Sequence, residues 1–396
     1  MKSKKIIFTL YEVSVLLLML SSMNAYFLWG IPSYLLFPFS IFLGLFIGGS
    51  GINTKIKPIH LVCVLPLLLL AFLKFNLIYF ITQLFVLVTI IQILSLPYEL
   101  RTHILLFCSK ALSIIVGISL VFWVIHLFFI EIPTISLLSY DDYYYFENHL
   151  FFLRLTNVTG YYRFTSVFLE PGHLAMFSAF FLYALQFNFK KWYVWVLILT
   201  VLFSLSLAGY ILLVIGFVVL SINAKKTLVL KSVFLFATLL LSGYVLVRHY
   251  MGEDNIVYKT IILRLEADDE KGIVGNNRTN DYTNANFDNF LGSNNIWLGY
   301  SLDEYKKNEN AGNLGGAGYK IYLFRNGIIG VFACFFFYFY LAYKSDNRRY
   351  MMLFLILFAI AFLQRAYPFW IAWLLPFLCT IQPQKRKSSI IKLNRV

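Results

Sequence analysis

Charge is the scarcest property of this chain. Only 13% of its 396 residues are charged, against 60% hydrophobic, and the mean hydropathy is +0.74. A soluble domain has roughly 25% charged and about 45–50% apolar residues. So little charge cannot cover a water-facing surface of this length, which excludes an ordinary soluble enzyme. Cysteine is scarce as well. Cys63, Cys108, Cys334 and Cys379 lie in or beside apolar runs, without metal-type spacing. They read as packing residues, and a disulfide framework is not expected. No Walker loop, HExxH, GxSxG or Asp-x-Asp motif is present. That argues against an ATPase, a metalloprotease and a cytosolic nucleotide-sugar transferase. No nucleic-acid motif and no soluble repeat is found either, and neither metal nor cofactor is expected.

What the chain does have is apolar runs of about 15–25 residues. A helix needs roughly 20 residues to cross about 30 Å of hydrocarbon. Continuous runs exclude the alternation of a membrane barrel, so helices are expected. The fold class read from the sequence is all-α, a polytopic integral membrane protein with about 12 transmembrane helices. The spans fall near 6–26, 31–50, 59–73, 76–96, 109–130, 166–187, 192–207, 209–222, 232–248, 319–342, 350–364 and 367–382. The first is read as an uncleaved helix, since no small-residue cleavage site follows Met1-Lys-Ser-Lys-Lys5. The run 192–222 is divided in two at Ser204-Leu-Ser-Leu-Ala-Gly209. An even number of crossings then puts Lys190-Lys191 and Lys225-Lys226 on one face.

The remaining basic clusters obey the same topology. Lys2/Lys4/Lys5, Lys55/Lys57, Arg101/Lys110, Lys344/Arg348/Arg349 and Lys385-Arg386-Lys387 all fall on that face, which positive charge marks as cytoplasmic, with both termini inside. This face holds 20 of the 33 Lys+Arg and three of the 19 acids; the other holds 13 and 16. The chain is thus +17 inside and −3 outside, within the net +14. The basic excess is a topology signal and not a nucleic-acid footprint. The whole chain, 1–396, forms a single polytopic domain with a first outer loop at 131–165 and a large one at 249–318. The large loop holds 11 of the 19 acids, which implies a polar substrate or partner outside.

Chemistry concentrates where the first loop enters the sixth span, in Arg163-Phe-Thr-Ser-Val-Phe-Leu-Glu-Pro-Gly-His173. Pro171 suits a helix start, and Glu170 beside that start is favoured as an anion. A plain charged cap is the simpler alternative. Around it gather cations near the outer boundary: Arg248, Lys320, Arg325 and Arg365. Arg325 lies a turn or more inside its span, where a charge faces a protein interior or a water-filled cavity. Snorkelling is the alternative for Arg248 and Lys320. Arg264 and Arg278 sit in the large loop. Together the arginines suit phosphate or pyrophosphate, whose oxygens the guanidinium fork binds in pairs. Glu12 in the first span is an interhelical hydrogen bonder. The run Tyr140-Asp-Asp-Tyr-Tyr-Tyr145 is either an interfacial belt or a sugar-binding face.

With these residues in view the sequence resembles the O-antigen and capsule polymerase family. The resemblance rests on the layout of spans, on Arg163 to Gly172 after the first outer loop, on a larger loop ending near Leu298-Gly-Tyr300, and on Gly318-Tyr-Lys-Ile-Tyr-Leu-Phe-Arg-Asn-Gly-Ile-Ile-Gly330. Related O-antigen ligases carry a His just before the corresponding span. Here Gly315-Gly-Ala-Gly-Tyr-Lys320 has none. The resemblance implies metal-independent glycosyl transfer at the outer leaflet of a bacterial inner membrane. The donor is a glycan on undecaprenyl pyrophosphate, the acceptor the next lipid-linked repeat unit, and the partners are membrane lipid and a protein that sets chain length. Catalytic roles fall to Glu170, Arg163, His173 and Arg278, with Glu170 the preferred base, His173 second, and a salt bridge positioning Arg163 the rival role for Glu170. Arg264, Lys320, Arg325, Arg154 and Tyr300 are the substrate-binding candidates. The alternatives are an O-antigen ligase and a polysaccharide-lipid transporter or flippase; a transporter predicts internal repeats, and none is clear.

Overall fold

The computed structural model describes residues 2–49, 52, 54–74, 76–140, 144–156, 163–222, 258, 267–268, 272–273, 281–312, 314 and 317–383. The expected span 232–248, together with Arg248, Arg264 and Arg278, lies outside the described residues.

The chain is mostly helical. In order come α1 (Lys2–Ser22), α2 (Ser33–Gly49), α3 (Pro58–Leu73), α4 (Leu77–Ser95), α5 (Tyr98–Phe128), α6 (Pro171–Ala184), α7 (Trp192–Phe203) and α8 (Leu207–Ile222). They are followed by α9 (Asp281–Leu291), α10 (Leu302–Asn310), α11 (Gly318–Tyr343), α12 (Arg348–Gln364) and α13 (Ile371–Thr380). Each expected span among the described residues therefore coincides with a helix. The run 192–222 does divide: α7 ends at Phe203, and Leu205 turns the chain with φ 46°.

Among the described residues four helices are long and apolar enough to cross a membrane: Lys5–Ser22 within α1, α4, α5 and α11. The bundle's outside is apolar too. Leu45, Phe72 and Phe332 are 66%, 63% and 71% exposed. A water-facing helix puts polar residues outward, so these surfaces belong in lipid. Other helices are short. At about 1.5 Å per residue, α7 rises only about 18 Å.

The expectation of an all-α fold is corrected by the segment 136–155. There β1 (Ser136–Tyr140), β2 (Tyr144–Asn148) and β3 (Leu153–Leu155) form an antiparallel sheet in the order β1-β2-β3. Exposure along β1 alternates residue by residue, as a half-buried strand requires. A short ribbon pairs β4 (Ala267–Asp268) with β5 (Gly272–Ile273). The aromatic run that reads as a belt thus supplies facing strands, Tyr140 opposite Tyr144. Trp29 anchors the sheet to the bundle, 4.9 Å from the Tyr140 ring and 5.9 Å from Phe146.

At the centre stand α6 and α13. Every residue from Gly172 to Ala184 is buried, as is every residue of α13. A helix apolar all round is enclosed by protein on every side, which is why these two carry no lipid-facing stripe. Phe180 stacks on Trp373 at 5.5 Å. Tyr183 and Tyr350 exchange hydrogen bonds, each hydroxyl donating to the other's carbonyl at 3.1 and 2.7 Å. The four cysteines are free and buried. Glu12 accepts from His103 Nδ1 at 2.5 Å, joining α1 to α5.

Candidate active site at the sixth helix and the broken eleventh

The segment before α6 is held along its whole length. Phe164 N–H donates to Phe203 O at 3.1 Å, and Thr165 Oγ1 donates to Leu153 O at 2.9 Å. Leu153 N–H donates to Ser166 O at 2.8 Å, and Tyr26 N–H to Val167 O at 3.0 Å. Phe164 and Phe168 are fully buried anchors. This clamping fixes the backbone that carries three candidate side chains. Arg163 donates Nε to Ser204 O at 2.9 Å, in the α7–α8 turn. Glu170 is the N-cap residue of α6 in extended conformation, with Pro171 at the first helical position. His173, one turn on, is 4% exposed.

A close contact of Glu170 comes from a distant element. Arg365, at the end of α12, donates Nη2 to Glu170 Oε2 at 2.5 Å. His173 Nε2 stands 3.9 Å from the same oxygen. Glycines make room for this pair. A Cβ on Gly172 would lie 3.0 Å from Arg365 Nη2, and one on Gly318 2.1 Å from Arg365 N. The start of α11 therefore abuts the α12–α13 junction directly. Arg365 Nε has no hydrogen-bond partner among the described residues, so the guanidinium keeps a donor for a further acceptor. Sequence reading places Arg365 among the boundary cations but outside the site. Its signal is a lone charge between two apolar runs.

The second group is built on a break in α11. Gly327 adopts φ 62°, ψ −172° inside the helix. Such a break frees backbone groups that must find partners. Phe324 O accepts from Tyr300 N–H at 2.8 Å, and Trp297 O accepts from Ile329 N–H at 3.1 Å. Arg325 O accepts from Lys74 Nζ at 2.5 Å, and the same ammonium bonds Tyr300 O at 3.1 Å. Tyr79 hydroxyl donates to Asn326 Oδ1 at 2.9 Å. Burial lowers the Lys74 ammonium from its ordinary 10.5 to about 8. Lys74 is absent from the sequence-derived site; a single Lys in a short gap between two apolar runs is the feature that marks it.

The break aims Arg325 out of the helix. Its guanidinium lies 4.7 Å from the Tyr305 ring centre and 6.0 Å from that of Tyr367, within the range of cation–π attraction. It lines a cavity of about 480 Å³ together with Tyr79, Asn326, Trp29, Tyr140, Tyr367 and Trp370. That volume is in the range of roughly 300–1,000 Å³ typical of small-molecule pockets. Trp370 connects the two groups: it stacks on Tyr367 at 4.4 Å and meets the His173 ring edge-on at 5.1 Å.

The other candidates lie around this centre. Tyr300 stacks on Phe324 with centroids 5.8 Å apart. Lys320 donates to Asn284 Oδ1 at 2.8 Å and sits 4.6 Å above the Phe287 ring. Arg154, in β3, lies 3.6 Å from Glu147 Oε2 across the sheet. The structure thus gathers Glu170 and His173 at Arg365, seats Arg163 on the α7–α8 turn, and puts Arg325 and Tyr300 at the break. Arg154 and Lys320 engage in local contacts of their own. Among the described residues no three His, Cys, Asp or Glu side chains come together as a metal site. Comparison with known proteins gave no match to a family model, a curated protein or a solved structure.

Proposed function

We propose that this chain polymerises undecaprenyl-pyrophosphate-linked oligosaccharide repeat units at the outer leaflet of a bacterial inner membrane. In this reading the chain crosses the membrane twelve times, with both termini and the basic clusters cytoplasmic. The segments 131–165 and 249–318 face outward.

The observation that carries the proposal is the juxtaposition of carboxylate and guanidinium. Glu170 and Arg365 meet at 2.5 Å at a helix N-terminus, one aromatic pair away from Arg325 and its cavity. Glycosyl transfer from a lipid pyrophosphate needs two things. Cations must meet the negative charge that develops on the leaving group, and a base must accept the proton of the attacking hydroxyl. Arg325 and Arg365 supply the first, Arg365 through the donors left over from its bond to Glu170, with Arg163 in support. Glu170 supplies the second, held in one orientation by Arg365. The acceptor hydroxyl attacks the anomeric carbon, its proton passes to Glu170, and the bond to the pyrophosphate oxygen breaks. His173 is the neighbouring proton acceptor. The aromatic lining suits sugar rings, whose apolar faces pack on such side chains while polar edges hydrogen bond.

The test is complementation. Deleting the gene in its native host is expected to collapse the surface-glycan ladder to a single repeat unit on its acceptor. Wild type restores the ladder. Membrane-inserted Glu170→Gln, Arg365→Ala and Arg325→Ala restore at most about one per cent of it, on the scale of lost acid–base or electrostatic catalysis. An unchanged ladder after deletion would reject the function. Polymer trapped on the carrier lipid would indicate a ligase, and unpolymerised units held on the inner leaflet a flippase. Full restoration by all three variants would reject the site.

A further inference from the structure

A second cavity, of about 1340 Å³, opens at the other end of the bundle. Helix α3 runs between the two, with Pro58 and His60 in this wall and Leu67 and Leu70 in the wall of the Arg325 cavity. Its charged lining is Lys55, Lys57, Arg101 and Lys344, opposed by Glu99 and Asp346. Both carboxylates are exposed, as are Lys55 and Lys57. Arg101 is different: it is 3% exposed. Its Nη1 donates to Leu378 O at 2.7 Å, and its guanidinium lies 5.8 Å from the Tyr98 ring centre. Its Nε, buried, has no partner among the described residues. A buried guanidinium N–H without an acceptor is costly. Two helices, α3 and α5, also begin at this cavity, at Pro58 and Tyr98. Their positive ends add to the field of the four cations. Beside this polar floor stand Ile56, Leu96, Leu341 and Ile381.

We infer that this cavity binds a phosphate anion, and that the apolar wall makes an acidic phospholipid headgroup its source. Arg101 Nε and Lys344 hold the phosphate oxygens, Lys57 closes over them, and the apolar side chains receive the glycerol and first methylenes. Basic recesses between helices at a charged face favour such headgroups. The inference is independent of glycosyl transfer, and its readout involves no polymerisation.

The experiment titrates full-length purified protein in neutral detergent, following bound lipid by native mass spectrometry and thermal stability in parallel. The probes are dioleoylphosphatidylglycerol, dioleoylphosphatidylcholine and inorganic phosphate. Wild type is expected to prefer the glycerol lipid about tenfold, as one to two kcal/mol from a pair of cations implies. Arg101→Gln and the double substitution Lys57→Gln/Lys344→Gln should remove most of that preference. Phosphate that raises the wild-type midpoint, and not that of the variants, without any lipid preference would keep the anion site and make free phosphate its ligand. Equal binding of both lipids with no response to phosphate overturns the inference. So does a preference that survives in the double variant, whose two lysines are not buried and which decides the matter if Arg101→Gln does not fold.

Discussion

Single side chains set the geometry around the Arg325 cavity, and Lys74 is the clearest case. Among the described residues its ammonium has no ion pair; it bonds two carbonyls, Arg325 O and Tyr300 O. Removing it leaves both oxygens short of a partner in a partly buried place. Lys74→Met is therefore expected to lower stability by about 1–3 kcal/mol, read as a lower thermal midpoint in detergent. The pH dependence has a definite sign. Burial places the folded value at about 8, below the ordinary 10.5. Between these values the unfolded chain holds the proton that the folded chain has released, so stability rises with pH. Wild type should gain on Lys74→Met across that window, and a constant difference would refute the assignment. Arg365 makes the same point for chemistry. It is visible in the sequence as a lone cation between apolar runs. Its partnership with Glu170, 195 residues away, is not.

At the scale of elements, the break in α11 decides where Arg325 points. Gly327 holds φ 62°, and a Cβ there would come within bonding range of Trp297 O. The sequence Arg325-Asn326-Gly327 reads as uninterrupted helix, because apolar periodicity continues on both sides. The loop residues Trp297 to Tyr300, together with Lys74, receive the freed backbone groups and stabilise the break. Gly327→Ala should cost about 1–3 kcal/mol and disorder the Arg325 side chain; the expected observation is a lower thermal midpoint, whereas an unchanged midpoint would mean a continuous helix. The α6–α8 crossing is similarly tight. A Cβ on Gly209 would lie 2.4 Å from Ala175 Cβ. Gly209→Leu overfills this contact, with an expected loss of about 1–3 kcal/mol in the same melting assay. The three-stranded sheet was hidden for a related reason. Its strands are short and pair locally, but they pack on Trp29, more than a hundred positions away.

Across the whole molecule, the distribution of charge predicts topology. The four native cysteines are buried, so a cysteine introduced on the surface should dominate labelling. Asn188→Cys sits in the exposed α6–α7 turn, beside Lys190-Lys191, and Asn294→Cys in the exposed segment after α9. In intact cells a membrane-impermeant maleimide is expected to label Asn294→Cys and to spare Asn188→Cys until the membrane is opened. The reverse pattern would invert the orientation, and labelling of both before opening would reject the division of faces.

Composition, hydropathy and charge clusters by themselves determined that the chain is mostly helical and suited to lipid and where its apolar helices lie, and they singled out Arg163, Glu170 and His173 as candidates; the polar helices α9 and α10, inside the expected loop 249–318, they did not give. Those properties are local: a run of apolar side chains or a Pro at a helix start acts through its immediate neighbours. Tertiary structure alone decided that Glu170 meets Arg365, that Lys74 secures a broken helix, that Tyr367 and Trp370 join the two groups of residues, and that Arg101 faces a second cavity. Each of these depends on helices distant in sequence coming within a few ångströms, and the single-residue gaps left by Gly172, Gly318 and Gly327 control that approach.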